Sequence, residues 1–192
     1  GDLPHVYEAA LLPVGALGRD ILPLGDLGGT SVILETFTTG GWGDAAEKYL
    51  ATGALAVPAM WAAIAQVPDL AGRDLSSLTF AISGGAPCPV VVIEARRAVD
   101  MRFTEGFGIT ETSPIVAYLD ADDVITHAGS IGKPVHHVEF RIVDPQGNEV
   151  PAGAVREPTL RAPNSFRGYG DNPGETRPAP PAGGSPPGRD PA

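Results

Sequence analysis

The sequence has a single cysteine, Cys88, so no disulfide can form within the chain. So little cysteine is typical of proteins from reducing compartments, and we predict a cytoplasmic protein. We interpret Cys88 itself as a small apolar filler near a turn. The sequence also lacks any run of about 18 uncharged apolar residues, which predicts that the chain has no transmembrane helix.

Positive charge is scarce as well, because 13 Lys and Arg residues stand against 23 Asp and Glu residues. The formal net charge of −10 argues against nucleic acid and anionic membranes as partners. The first residues, Gly1–His5, have neither an initiator Met nor the basic region and apolar core of a signal peptide. We therefore expect the chain to begin within a longer protein.

Short apolar strand patterns alternate with helical segments over the first two thirds of the chain, which predicts an α/β fold with layers of helix and sheet. The predicted strands are Thr30–Leu34, Ala54–Val57, Leu78–Ile82, Met101–Thr104 and Ile115–Leu119. We divide the chain into a partial α/β unit over 1–134, a β-ribbon over 135–177 and a disordered tail rich in Pro and Gly over 178–192.

Two helices are predicted between the early strands. We interpret Thr38–Gly43 as a loop and Asp44 as the cap of a helix that ends near Ala51. Pro58 stands where a first helical turn accepts proline, and Trp61 lies on the apolar stripe of the helix that follows.

The predicted ribbon begins after two histidines, His136 and His137, which we interpret as solvated turn residues and not as metal ligands. Alternating residues then predict a strand over Val138–Ile142. The turn residues of Asp144–Asn148 lead to a return strand near Val155–Leu160. Because Pro158 lacks an N–H donor, this return strand should end early or lie at an edge.

The segment Thr104–Pro114 contains a pattern of chemical interest, an aromatic residue between two glycines followed by adjacent hydroxyl and carboxylate groups. Phe107 offers a face on which a base can stack. The Thr110 hydroxyl can donate to a phosphate oxygen, and Glu111 offers the hard oxygen that Mg²⁺ prefers. The residues alone leave a tight turn without a ligand open as the alternative.

A second glycine turn, Gly84-Gly85, ends the strand that precedes this segment. Ligands in open α/β sheets bind beyond the carboxyl ends of the strands. Both glycine loops are predicted at such ends, so their placement agrees with their chemistry.

Together these blocks resemble the adenylate-forming enzymes, which include acyl-CoA synthetases, luciferases and the adenylation domains of peptide synthetases. Gly106–Glu111 resembles that family's aromatic-Gly-x-Thr-Glu motif, and Ser83–Pro87 resembles its glycine-rich turn on the adenine side. Gly129–Pro134 and Ala162–Tyr169 resemble the two blocks that follow. The resemblance covers roughly Leu24 to Glu175, and the acyl-CoA synthetase branch matches best.

The resemblance implies an enzyme that joins a carboxylic acid, here a fatty acid, to ATP and passes the acyl group from AMP to coenzyme A. Phe107 would stack on adenine, Thr110 would bind the α-phosphate and Glu111 would hold Mg²⁺, which makes Thr110 and Glu111 the implied catalytic pair. The remaining nucleotide contacts would come from Gly84, Gly85, Ala86, Pro87, Gly106 and Gly108. The acyl pocket would include His5, Trp61, Gly108 and Ile109, with core packing as the alternative for Trp61.

Several parts of the family pattern are absent from this sequence. It has no Ser/Thr/Gly-rich loop ending in Pro-Lys, no Thr-Gly-Asp, and no C-terminal domain with its lysine; its only lysines are Lys48 and Lys133. We therefore expect an acyl-CoA synthetase fragment that is inactive by itself. The alternatives are a nucleotide- or partner-binding remnant without catalysis, or part of a peptide-synthetase adenylation domain. Sheet edges cut from a larger domain also predict self-association.

Overall fold

A computed structural model of the chain describes residues 4–7, 15–68, 70–97 and 101–176. The strands within these residues are β1 (Pro4–Tyr7), β2 (Thr30–Ile33), β3 (Gly53–Ala56), β4 (Phe80–Gly84), β5 (Arg102–Phe107), β6 (Ala117–Leu119), β7 (Lys133–Pro134), β8 (Glu139–Val143) and β9 (Glu157–Arg161). The helices are a π-helix (Gly15–Ile21), α1 (Leu22–Asp26), α2 (Thr39–Lys48), α3 (Pro58–Ala65) and α4 (Val90–Arg97), with short 3₁₀ turns at Leu70–Gly72 and Thr110–Thr112. None of these helices is long and apolar enough to cross a membrane.

Seven strands form one mixed sheet in the order β2-β1-β3-β4-β5-β6-β7. Strands β2 to β5 of that order pair in parallel, whereas β6 and β7 continue the sheet antiparallel. Strands β8 and β9 form a separate antiparallel ribbon. The predicted α/β fold class is confirmed. The domain division at residue 134 stays a prediction, and the predicted tail over 178–192 lies outside the described residues.

The main core lies between the sheet and its helices and is built around three fully buried aromatic rings. Trp61 meets Trp42 edge to face at a centroid distance of 5.8 Å and meets Phe103 in the same way at 5.5 Å. Its indole nitrogen donates to the Ile82 carbonyl at 3.1 Å, which joins α3 to β4. Helix α3 therefore fixes the position of β4 at Ile82, two residues before the strand ends at Gly84.

The prediction of a loop over Thr38–Gly43 is wrong, because α2 already begins at Thr39. The Thr38 side chain, and not Asp44, caps this helix by accepting from the Gly41 amide at 3.0 Å. Each glycine lowers helix propensity by about 1 kcal/mol, so the three glycines of α2 cost about 3 kcal/mol, which the complete burial of the large Trp42 side chain offsets. Arg73 packs where a Cβ on Gly43 would lie, and its guanidinium pairs with Asp44 at 2.5 Å.

The predicted strands of the main sheet are present with bounds shifted by one to three residues, and two strands of this sheet, β1 and β7, were not predicted. Strand β5 continues past Thr104 to Phe107, because it is paired on both sides, with β4 and with β6. Strand β7, which extends the sheet beyond β6, has no apolar pattern of its own and was not predicted.

The ribbon agrees with its prediction. In the turn, the Asp144 carboxylate accepts from the amides of Gln146 and Asn148, and Gly147 adopts a φ of +85°. Pro158 in β9 pairs with Ile142 in β8. Because this sheet has only two strands, β9 is an edge strand, and the missing N–H of Pro158 interrupts no pairing with a further strand.

Candidate functional site

The two glycine loops lie side by side at the carboxyl ends of neighbouring parallel strands. Gly84 at the end of β4 pairs in register with Gly106 in β5. A Cβ on Gly84 would lie 3.2 Å from the Gly106 carbonyl oxygen, so glycine lets these two strands approach closely. This part of the sequence prediction, that both loops share one sheet edge, corresponds to the observed geometry.

The turn after β4 presents exposed backbone to solvent. Gly85 adopts a φ of +85°, which favours glycine, and Gly85, Ala86 and Pro87 are all exposed. The turn is tied back to the sheet by the buried Cys88 amide, which donates to Glu105 Oε1 at 2.7 Å. Burial raises the pKa of the Glu105 carboxyl, and the hydrogen bond from Cys88 opposes that rise.

The loop after β5 folds back on itself over Gly108–Pro114. A Cβ on Gly108 would lie 1.7 Å from the Pro114 carbonyl oxygen, so only glycine fits at this closure. The buried Thr112 hydroxyl donates to the Ile109 carbonyl at 3.0 Å and fixes the 3₁₀ turn of Thr110–Thr112. Ile109 and Thr110 are exposed on the outer side of this turn.

Glu111 is held by a segment that is distant in the sequence. The Tyr169 hydroxyl donates to Glu111 Oε1, and this hydrogen bond holds the pKa of the Glu111 carboxyl below its ordinary value. The Phe166 amide donates to the Glu111 carbonyl at 2.7 Å. The Asn164 side-chain amide donates to the Thr112 carbonyl. The block Ala162–Tyr169 is recognisable in the sequence, but its contacts with Glu111 and Thr112 are not, since spacing along the chain does not reveal a partner more than fifty residues away.

Phe107 is half-buried at the end of β5, where its ring packs against a second core formed by Val116, Val138 and Ala162. Its carbonyl accepts from the Val116 amide at 2.9 Å. The ring therefore lies where the main sheet meets the ribbon, with part of its surface open to solvent.

Two of the predicted acyl-pocket residues lie away from this loop. His5 pairs with Gly53 near the amino end of the parallel strands, at the level of Phe80, four residues before Gly84. At a rise of ~3.3 Å per residue, that is about 13 Å along the sheet. A Cβ on Gly53 would lie 2.8 Å from the His5 ring, so the ring covers this glycine. Trp61 is fully buried in the main core, as its packing alternative describes.

The donor set of the turn fits Mg²⁺ bound together with a phosphate. Mg²⁺ takes one or two carboxylates, retains waters and accepts phosphate oxygens, so it needs no cage of protein ligands. Glu111 offers a carboxylate and Thr110 an exposed hydroxyl on the same turn. No group of three or more His, Cys, Asp or Glu side chains in the described part of the chain could hold a metal alone. His136 and His137 are exposed turn residues, as predicted.

A concavity of about 390 Å³ lies near this site but is a different feature. It is open, and its lining comes from one continuous segment between Arg167 and Thr176 that includes Tyr169. The glycine loops contribute nothing to it.

Comparison with known proteins gives a consistent result. The sequence model of the AMP-binding enzyme family matches residues 17–170 of this chain. A feruloyl-CoA synthase from Amycolatopsis is 35% identical over 91% of this chain and 36% of its own length. A long-chain fatty acid CoA ligase from Escherichia coli is 34% identical over 67% of this chain and 23% of its own length.

Among solved structures, the fold is similar to that of an o-succinylbenzoate coenzyme A synthetase from Bacillus subtilis in complex with AMP. The TM-score is 0.81 at 21% identity, over 90% of this chain and 35% of the other. The chain thus spans between 23% and 36% of the length of each of these three proteins. It belongs to the AMP-binding enzyme family, and its relatives include acid–CoA ligases.

Proposed function

We propose that this chain supplies the nucleotide side of an ATP-dependent acid–CoA ligase. The observation that carries the proposal is the register of Gly84 with Gly106, which sets two glycine loops side by side at one sheet edge. The hydroxyl of Thr110 and the carboxylate of Glu111 follow on the second loop. Backbone, aromatic ring, hydroxyl and carboxylate are the groups that a base, a phosphate and Mg²⁺ require.

In this proposal the nucleotide lies across both loops. The exposed turn Gly85–Pro87, with Gly84 and Gly106 beneath it, lines one side of the adenine, and Phe107 provides the opposite surface. Gly108 keeps the second loop closed beside the ligand. Thr110 donates to the α-phosphate, and Glu111 holds the Mg²⁺ that offsets phosphate charge.

The proposed reaction joins two anions, and the site must offset their repulsion. A carboxylate oxygen attacks the α-phosphorus of ATP and pyrophosphate leaves, which gives an acyl-adenylate; the coenzyme A thiol then displaces AMP and forms the thioester. Gly108 and the exposed Ile109 would border the acyl group. We propose a small-molecule carboxylic acid as substrate, with a fatty acid as the specific prediction. The acyl-pocket role of His5 and Trp61 stays a prediction, since His5 lies near the amino ends of the strands and Trp61 is fully buried in the main core.

We further propose that the chain does not complete this reaction alone. Of its two lysines, Lys48 lies in the last turn of α2, and Lys133 lies in β7 with its ammonium 3.6 Å from the Asp123 carboxylate. Neither lies on the nucleotide turn, so in this proposal the positive charge needed beyond Mg²⁺ comes from another segment or chain. A nucleotide-binding module without catalysis is the second candidate function, favoured by this same lack of a lysine at the turn.

Thermal unfolding with a ligand tests the proposal. The probe is a non-hydrolysable acyl-adenylate analogue with Mg²⁺, added to the wild type, Phe107→Ala and Phe140→Ala. Phe140 is a control because it is also half-buried against the second core but lies in the ribbon. At one hundred times its dissociation constant, a ligand of the folded state adds about 2.7 kcal/mol. We expect a rise in Tm for the wild type and Phe140→Ala that Phe107→Ala loses. No rise in the wild type would contradict the proposal.

A further inference from the structure

Three hydrogen bonds from one short segment converge on the turn that carries Glu111. Asn164 donates from its side chain to the Thr112 carbonyl, Phe166 donates from its amide to the Glu111 carbonyl, and Tyr169 donates from its hydroxyl to the Glu111 carboxylate. The first two contacts hold the backbone of the turn. Only the third reaches the functional group of Glu111.

We propose that Tyr169 is a positioning residue, which directs the Glu111 carboxylate toward the metal that accompanies the nucleotide. This inference rests on the proposed function and adds a residue outside the glycine loops. Tyr169 engages Oε1, one of the two carboxylate oxygens, so the carboxylate can meet a cation through the other. Partners that orient a metal-binding carboxylate in this way are part of the working site.

The need for such a partner follows from the local structure of the turn. Glu111 has a flexible side chain and lies in a 3₁₀ turn of only three residues, where it is partly exposed. The turn fixes the Glu111 backbone but leaves its side-chain torsions free. A hydrogen bond to an ionised carboxylate is stronger than one between neutral groups, so one donor is sufficient to select an orientation.

Tyr169 can select that orientation because it is itself held in place. Its ring meets the Phe166 ring edge to face at 4.9 Å, and its amide donates to the Thr176 hydroxyl at 3.0 Å. The Thr176 hydroxyl in turn donates to the Asn172 carbonyl at 2.8 Å. Although its side chain is exposed, Tyr169 is therefore held through its ring and through its backbone.

The test measures how ATP binding by the full 192-residue chain depends on Mg²⁺, with AMP binding in the absence of Mg²⁺ as the second readout. The variants are Tyr169→Phe, which removes only the hydroxyl, and Tyr49→Phe as the matched control. Tyr49 has the same 45% exposure as Tyr169 but lies at the end of α2. A role in general stability would change both readouts together.

We expect Tyr169→Phe to raise the Mg²⁺ concentration for half-maximal ATP binding by about 10-fold, the lower end of losses seen when such orienting partners are removed. AMP binding without Mg²⁺ should stay within about twofold, and Tyr49→Phe should match the wild type in both. If Tyr169→Phe matches Tyr49→Phe in its Mg²⁺ dependence, the inference is overturned and the proposed function stands.

If the wild type binds neither nucleotide, the proposed function fails and the metal-positioning role fails with it, and a double-mutant cycle then decides separately whether Tyr169 holds Glu111. Thermal unfolding is measured for Glu111→Ala, Tyr169→Phe and the double variant. A coupled pair predicts that the double variant loses less Tm than the sum of the single losses. Additive losses would show that Tyr169 does not hold Glu111, which would overturn the inference.

Discussion

The buried amide of Cys88 donates to the Glu105 carboxylate at 2.7 Å, and this contact joins the turn after β4 to the strand that leads into the second glycine loop. Cys88 follows the turn after β4, whereas Glu105 lies in β5 directly before Gly106. The backbone ladder pairs the strands as far as Gly84 and Gly106, and the side chain of Glu105 extends this connection to the turn after β4. Any change at this contact should alter the spacing of the loops as well as the stability of the fold.

The first prediction concerns the acceptor that Glu105 provides. Glu105→Gln keeps an oxygen for the Cys88 amide, whereas Glu105→Ala leaves a buried donor without a partner. Such a donor costs about 1–3 kcal/mol, so urea unfolding should find Glu105→Ala less stable than Glu105→Gln by that amount. Glu139→Gln and Glu139→Ala, on the exposed edge of the ribbon, should differ little. Equal stability of the two Glu105 variants would show that the contact does not hold the turn.

The second prediction concerns pH. Burial raises the pKa of Glu105 above its ordinary value of 4.5, so the folded state binds a proton that the unfolded state releases. The stability contributed by this group is complete below pH 4.5 and is lost as the pH rises through the folded-state pKa. As the pH rises from 4.5 to neutrality, the free energy of unfolding of the wild type should therefore fall relative to that of Glu105→Gln. A rise of the wild-type value relative to Glu105→Gln over this range would contradict the prediction.

The third prediction uses two glycines with opposite surroundings. A Cβ at Gly108 would lie 1.7 Å from a backbone oxygen, whereas a Cβ at Gly40 in α2 would meet nothing within 4 Å. Gly108→Ala should destabilise the chain by about 1–3 kcal/mol and weaken nucleotide binding. Gly40→Ala should stabilise it by about 0.5–1 kcal/mol through helix propensity alone. Urea unfolding measures both, and a Gly108→Ala variant as stable as the wild type would contradict the observed loop closure.

The fourth prediction uses the only cysteine as a reporter of the turn. Burial raises the pKa of the Cys88 thiol to about 11, and the nearby Glu105 carboxylate adds to that rise. Since the thiolate is the reactive form, a disulfide reagent at pH 8 should react at least about 100-fold more slowly with folded chain than with chain in urea. Rapid reaction of the folded chain would mean that the turn opens readily.

The sequence was informative where local chemistry decides the structure. The Asp144–Asn148 turn, the helix opened by Pro58 and the placement of both glycine loops at strand ends all follow from residue type and short spacing. The helix after Asp44 was predicted, but its first turn from Thr39 was not, because the glycines there oppose a helix locally and the turn depends on the burial of Trp42.

The remaining part of the site depends on contacts that no spacing encodes. Glu111 and Tyr169 are brought together only because the ribbon and the segment after it pack beside the end of the sheet. Glu105 looks like a loop carboxylate in the sequence, yet it lies in a strand paired on both sides. His5 could be placed only from the strand register.

Photo-crosslinking with an azidoadenosine analogue of AMP tests the central claim most directly, because it reports where the base lies. Trypsin separates the candidate segments: Asp74–Arg96 contains the first glycine turn, the peptide beginning at Phe103 contains the second loop, and the peptide beginning at Gly168 contains Tyr169. We expect label in the first two peptides, reduced by excess AMP. Label confined to the peptide beginning at Gly168, or label that AMP does not reduce, would contradict a nucleotide site at the paired ends of β4 and β5.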